Sequence, residues 1–486
     1  MTAVPPRRIL FYSSISYAND RPSGAAKSNL YQMETLSARG HECVLVCRLT
    51  AARENRDTAI ARLRGEGVEV TTVDQPLMIL DSFLHGRVRV HAFTLKSFGE
   101  WPLGQRLRFP WHWNRRGSSQ RKVLVPHRKS FRQMIGAVRR TREPFPKRLR
   151  VLGPWLASFV MEPVFQEGLA PLEQIVRDLR PDAMFVDGCV EFMQLVAVLR
   201  ERALPSACEA YAVFTAGFAM NFGPDAGFSA DQSFLATARV LELYRSMSGF
   251  VTPSRFLGEY LSRESGLGLR YTVVHPRIKP LTPEQDRPRD PAHGVVMLIN
   301  ASGIKGLSIF VALARRLPDV PFAVVATWGS LPRAERQALE RLPNVTILQP
   351  VSPVDPIYDM TRVLLVPSLW SDPFPRVVNE AMLRGIPVLA SDRGGIPEAK
   401  HGVPYVLPVT PYAGAADYGD PPPPQDVEPW LAALKRLLDD PAHFTDVSTA
   451  SRAAARAFVA EQDERSLADV WSTPQLRNST VDARGS

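Results

Sequence analysis

The first fifty residues alternate between short apolar runs and longer mixed ones: ILFYSS, the polar loop ISYANDRPSGAAKS, the segment NLYQMETLSARG, then HECVLVCRL. Short apolar runs bounded by turn residues predict buried strands, and apolar positions recurring every three to four residues predict helices. Strand, loop, helix and strand in that order form one unit of an open α/β sheet. EVTTV closes a second unit. From about 80 to 165 the periodicity is lost and the chain becomes basic, aromatic and proline-interrupted, which predicts an insertion on the first domain. Alternation then resumes with the helix APLEQIVRDLR, the strand DAMFVDG, the helix EFMQLVAVLRERA, the strand PSACEAY, the strand GFVTPS, the helix RFLGEYLSRES with Ser254 as its N-cap, and the strand YTVVHP.

Residues 279–294, KPLTPEQDRPRDPAHG, carry proline and charge without apolar periodicity and predict an interdomain linker. A second alternating series follows, from GVVMLIN and LSIFVALARRL through FAVVAT, VTILQP and RVLLVPS to RVVNEAMLRG and PVLAS. The expected fold is α/β, with two tandem doubly wound domains and a cleft between the carboxyl ends of their sheets. Residues 1–280 form the first domain with its insertion and 281–460 the second. Residues 461–486 hold a helix end and a tail whose composition predicts disorder.

Length and charge narrow the classes. At 486 residues the chain exceeds what one core fills, and 22% charged residues with 45% hydrophobic ones describe an ordinary globular enzyme. No run approaches the roughly 20 apolar residues of a membrane span, and the run Ile9 to Tyr12 is too short for a signal-peptide core. Cys43, Cys47, Cys189 and Cys208 lie in apolar runs and suit a reducing compartment, so the expected location is cytoplasmic. His41, Cys43 and Cys47 have the spacing of a metal cluster but read better as a strand. The net charge of +10 raises nucleic acid, membrane or phosphate-bearing partners, and it concentrates between Arg87 and Arg150.

The richest chemistry lies in SLWSDPFPRVVNEAMLRGIPVLASDRGGIPEA, Ser368 to Ala399. A loop turning into a helix at Arg376 presents the backbone amides of Val377 and Val378 to an anion such as a diphosphate. Glu380 and Asp372 are carboxylates beside that helix start, able to accept hydrogen bonds from hydroxyl groups. The segment resembles the donor-binding signature of glycosyltransferase family 4: an acidic residue, Pro-Phe-Gly, a second acidic residue eight positions after the first, then a Gly-Gly loop. Asp372, Pro373, Phe374, Pro375 and Glu380 stand at those places, with Asp and Pro375 where Glu and Gly are usual. The segment INASGIKGLSIFVALARRL resembles the family's strand, loop and helix opened by Lys-Gly. There Lys305 is the cation for the leaving diphosphate, and Asn300, Ser302 and Gly303 stand in the binding loop. The family's additional arginine is missing, leaving Arg277, Arg376 and Arg393 as candidates for a second cation. Gly24 falls where the family has a glycine-rich loop in the first domain.

The resemblance implies a Rossmann-like, two-lobed GT-B fold and a retaining, metal-independent transfer from a UDP- or GDP-linked sugar. No cofactor is implied beyond that donor. The catalytic set is then Asp372, Lys305 and, on the acceptor side, Glu209, with Asp187 as the alternative carboxylate, because the histidine usual there is missing. The expected acceptor is a small specialised metabolite. A lipid or polysaccharide at the membrane surface is the rival acceptor, with peripheral membrane contact not favoured and nucleic acid not expected as a partner. A nucleotide-sugar epimerase or donor hydrolase, a non-enzymatic nucleic-acid-binding protein and a catalytically decayed relative are rival functions for the whole chain.

Overall fold

The computed structural model describes residues 5–18, 24–50, 56–96, 169–188, 190–214, 238–265, 268–288, 292–326, 333–351, 353–412, 422–464 and 467–472, with residues 100, 290 and 331 besides. The basic, tryptophan-bearing stretch beyond residue 100 and the tail from Pro474 lie outside the described residues.

Two sheets organise the chain. The first has the order β3-β4-β5-β2-β1-β6-β7-β8-β9 and contains β1 Arg8–Ala18, β2 Glu42–Thr50, β3 Thr71–Asp74, β4 Met78–His85, β5 Val88–Leu95, β6 Ala183–Asp187, β7 Glu209–Val213, β8 Gly249–Thr252 and β9 Tyr271–Val273. The second has the order β12-β11-β10-β13-β14-β15 and contains β10 Val295–Ile299, β11 Phe322–Val325, β12 Val345–Leu348, β13 Thr361–Val366, β14 Val388–Ser391 and β15 Val406–Leu407. All pairs of the second sheet are parallel.

Helices cover both faces of each sheet, so the central strands are buried along their length: every residue of β6 is buried, with Asp187 at its end the one charged group. Alternate residues of β1 enter different cores, Leu10 packing on one face and Ile9 with Phe11 on the other. In β10, Val296 and Leu298 face one core and Met297 the other.

Two elements depart from the sequence reading. β4 and β5 fall within the stretch expected to be an insertion, and they form an antiparallel ribbon joined to β2. Their periodicity is broken by Asp81, which is fully buried and held by Arg56 at 2.8 and 2.5 Å and by Thr72 at 2.7 Å. Secondly, the chain returns to the first half at its end. After the long helix Pro441–Glu464, residues Leu467, Ala468 and Val470 join the core that contains Ile9 and Phe185. Trp471 stacks under the Arg7 guanidinium at 4.4 Å. The linker lies on the second half, where Asp286 takes Arg452 at 2.9 Å and also Arg456, while Gln285 donates to Asp355 at 2.9 Å.

No described helix is long and apolar enough to cross a membrane. Cys43 and Cys47 are free and buried, and the His41 ring accepts the Arg7 N–H at 3.1 Å. Among the described residues no group of His, Cys, Asp or Glu is arranged to hold a metal ion.

Candidate functional site

In each sheet the chain order reverses beside a central strand, at β1/β6 in the first and β10/β13 in the second. The crevice at the carboxyl ends of strands beside such a reversal is where open α/β sheets bind ligands. The two carboxyl edges face one another. Ser254, just past β8, lies 3.0 Å from where a Cβ on Gly395 would stand, just past β14.

The second edge gathers most of the residues that the sequence singled out. Just past β10, Asn300 has a φ of 66° that turns the chain sharply, and the Ser302 carbonyl accepts the Lys305 N–H at 3.0 Å in a 3-10 turn, Gly303–Lys305. Gly306 follows at φ 80°, with its Cα so close to the Pro367 carbonyl that a side chain has no room. This turn aims the Lys305 ammonium across the reversal onto the Asp372 carboxylate, in the loop after β13, and over the Trp370 ring at 4.9 Å. Asp372 is 9% exposed. Its carbonyl accepts the Gly395 N–H at 2.7 Å, and a Cβ on Gly394 would strike its backbone, which accounts for the Gly-Gly pair.

The helix Arg376–Leu383 starts beside this pair, with Pro375 as its N-cap. Arg376 pairs with Glu380 at 3.2 Å, and Glu380 also accepts from Tyr358 at 2.7 Å, so it is a fixed acceptor one turn into the helix. Burial, and Glu380 itself, push the Tyr358 phenol well above its ordinary pKa, which keeps it a hydrogen-bond donor. Polar atoms without a hydrogen-bond partner collect on this edge: Asn300 Oδ1, Ser308 Oγ and Glu335 Oε2. Burial raises the Glu335 pKa, partly offset by the Gly303 N–H it accepts. Buried polar atoms left unpaired mark a place that a ligand or water completes.

Several expected roles change. The Val378 N–H is engaged by the Pro375 carbonyl at 3.2 Å, so it is not available to an anion. The Phe374 ring is buried against His275 at 4.9 Å and Phe458 at 5.7 Å, so it anchors the loop. Arg277 donates to the Gln462 carbonyl and lies over the Tyr31 ring at 4.8 Å, in packing between the halves. Arg393 instead reaches Ser371 Oγ at 3.1 Å, one residue from Asp372.

On the first edge, Gly24 is the opening residue of the helix Gly24–Ala38. Glu209 proves to be the first residue of β7, at the amino edge, where it pairs with Arg7 at 2.5 Å. The strand continues past the end of PSACEAY, so Glu209 lies at the opposite edge from the crevice. Asp187 ends β6 at the carboxyl edge, beside the reversal. It is 5% exposed, receives Ser13 Oγ at 3.2 Å, and Asn29 donates to Ser13 at 3.2 Å. Trp370, Tyr358, Glu335 and the Ser13–Asn29 pair carried no local motif. For Trp370 alone a signal existed, an aromatic residue two positions before Asp372.

Residues 294–440 match a family model described as Glycosyl transferases group 1. Spore coat protein SA of Bacillus subtilis (strain 168) is 44% identical over 57 residues, 11% of this chain and 15% of that protein's length. The chain therefore spans only a small part of that curated relative. Sucrose-phosphate synthase of Thermosynechococcus elongatus superposes with a TM-score of 0.58 at 16% identity, covering 94% of this chain and 97% of that one. HepE of Anabaena in complex with UDP-glucose gives 0.57 at 16%, covering 96% and 98%, and WaaG, a glycosyltransferase of lipopolysaccharide biosynthesis, gives 0.52 at 13%, covering 96% and 100%. At such identities these three share the fold with this chain. The chain has the GT-B fold, and its residues 294–440 match the model of the glycosyl transferases group 1.

Proposed function

We propose that the protein transfers a glycosyl group from a nucleoside diphosphate sugar to a small acceptor, with retention and without a metal. The observation that carries this reading is the meeting of Lys305 and Asp372 at the β10/β13 reversal, beside a helix start. An ammonium has three donors, so Lys305 can hold Asp372 and a phosphate oxygen together and offset the charge left on the diphosphate as the sugar's C1–O bond breaks. The Arg376 and Val377 amides at the helix start add to that field, and Arg393 is the second cation. Asp372 accepts from sugar hydroxyls and Glu380 from the ribose. In the retaining reaction the acceptor hydroxyl attacks the face from which the diphosphate leaves, and its proton passes to the departing phosphate. On the first half Asp187, with Ser13 and Asn29, orients that hydroxyl.

HepE was solved with UDP-glucose, with UDP and glucose, and with UDP, which favours UDP as the first nucleotide to test. Isothermal titration of UDP, GDP, ADP and dTDP into the protein, Lys305→Ala and Glu380→Ala is the direct test. The reading expects one nucleotide to bind, with affinity reduced in both variants, and turnover of the matching sugar nucleotide to persist in EDTA. Binding indifferent to both substitutions would overturn the donor site, and loss of turnover on chelation would overturn metal-independent transfer.

A further inference from the structure

We propose that Glu398 is the pivot on which the two halves turn, a positioning residue that ties the acceptor-side half to the donor loop. Its carboxylate, from the short helix Ile396–Ala399 after β14, accepts the N–H groups of Arg255 at 2.9 Å and Phe256 at 3.4 Å, in the helix Arg255–Ser265 of the other half. It also meets His275 Nε2 at 2.8 Å. A helix start leaves its first amides without intrahelical partners. Here Ser254 Oγ takes the Leu257 N–H at 3.2 Å, and the carboxylate from across the gap takes the two before it. Burial raises the pKa of Glu398, but His275 and the two amides outweigh it and hold the group ionised.

This contact is continuous with the donor loop. The Gly395 N–H is bound to the Asp372 carbonyl, and neither Gly394 nor Gly395 has room for a Cβ against Asp372 and Pro373. Asp372, the Gly-Gly pair and Glu398 therefore move as one piece. His275 completes the joint, since its ring lies on Phe374 of the same loop. Parting the halves here would strip a carboxylate and a helix start of their partners together, whereas rotation about the carboxylate keeps them. A shift of Asp372 on meeting a ligand is thus passed to the helix Arg255–Ser265 and the sheet edge that carries Asp187.

The test uses the whole chain and the nucleotide that binds best, and only its ligand-bound arm rests on the proposed function. Hydrogen exchange of the ligand-free protein is compared with Glu398→Gln, which keeps size and removes charge, and with Glu398→Ala. The proposal expects exchange at Arg255 and Phe256 to rise about tenfold or more, the equivalent of one charge-assisted hydrogen bond. In small-angle scattering, nucleotide should reduce the wild-type radius of gyration, and this response should be lost in the variants while their nucleotide Kd stays within about threefold, a change too small for a lost donor contact. Closure of Glu398→Gln equal to the wild type, or a loss of affinity as large as in Lys305→Ala, would overturn it. If no nucleotide binds the wild type, the donor reading fails, and the exchange arm alone decides the pivot: unchanged exchange refutes it, and faster exchange at those two amides upholds it.

Discussion

The two carboxyl edges hold their polar groups in different ways. On the second, Lys305 after β10 and Asp372, Arg376 and Glu380 after the neighbouring strand β13 form ion pairs of opposite sign. On the first, Asp187, Ser13 and Asn29 form a buried hydrogen-bonded line of one carboxylate and neutral groups. On the proposed function the difference suits an anionic leaving group on one side and a neutral hydroxyl on the other. Strand polarity decides which residues can take part: Glu209 and Asp187 lie on neighbouring strands, but one begins its strand and the other ends it.

Substitutions can break or sharpen this contrast. The largest effect is expected from Lys305→Ala, which should lower kcat by about 10²–10³, the size seen when a donor to developing negative charge is lost, and weaken nucleotide binding as well. Titration and turnover measured together check it. Asp187→Asn should lower turnover by about 10², the cost of a misplaced reacting group, and leave nucleotide affinity unchanged; equal losses in both would place Asp187 outside the acceptor side.

A stability effect comes next. Lys400 is fully buried with its ammonium on the Val388 carbonyl, and burial lowers its pKa to about 7. Below pH 7 it is charged in both states and the folded protein bears the full cost of burying that charge. Between about 7 and 10.5 the unfolded chain holds the extra proton, so stability rises with pH. Lys400→Met should raise stability at pH 6 by roughly 1–3 kcal/mol and flatten that rise, as denaturant titrations at several pH values would show. Glu209→Gln should have the smallest effect, under about 1 kcal/mol with unchanged turnover, as for a partly exposed ion pair. A large loss of turnover would return that residue to the catalytic set.

Much of the second edge is legible in the sequence because its chemistry is local. Asp372 and Glu380 lie one loop and one helical turn apart, and the amide geometry at Arg376 follows from the loop-to-helix transition. The strand in PSACEAY begins later than its apolar pattern suggests, because Pro205 and the turn behind it extend that pattern while the ladder starts only at Glu209. β4 and β5 are hidden because a buried Asp81 paired with Arg56 looks like a polar break in an apolar run. Glu398 and His275 stand 123 residues apart, and no local pattern announces that one will accept from the other.

The return of residues 467–472 to the first core has a mechanical consequence. Two straps join the halves, the covalent linker at 279–294 and the residues after the helix Pro441–Glu464, which are held in the first core by packing. A body held by one strap can swing and twist freely, whereas one held by two keeps a single easy rotation about the line between them, as a cover turns on its spine. Severing either strap alone would leave the halves tethered while freeing the twist.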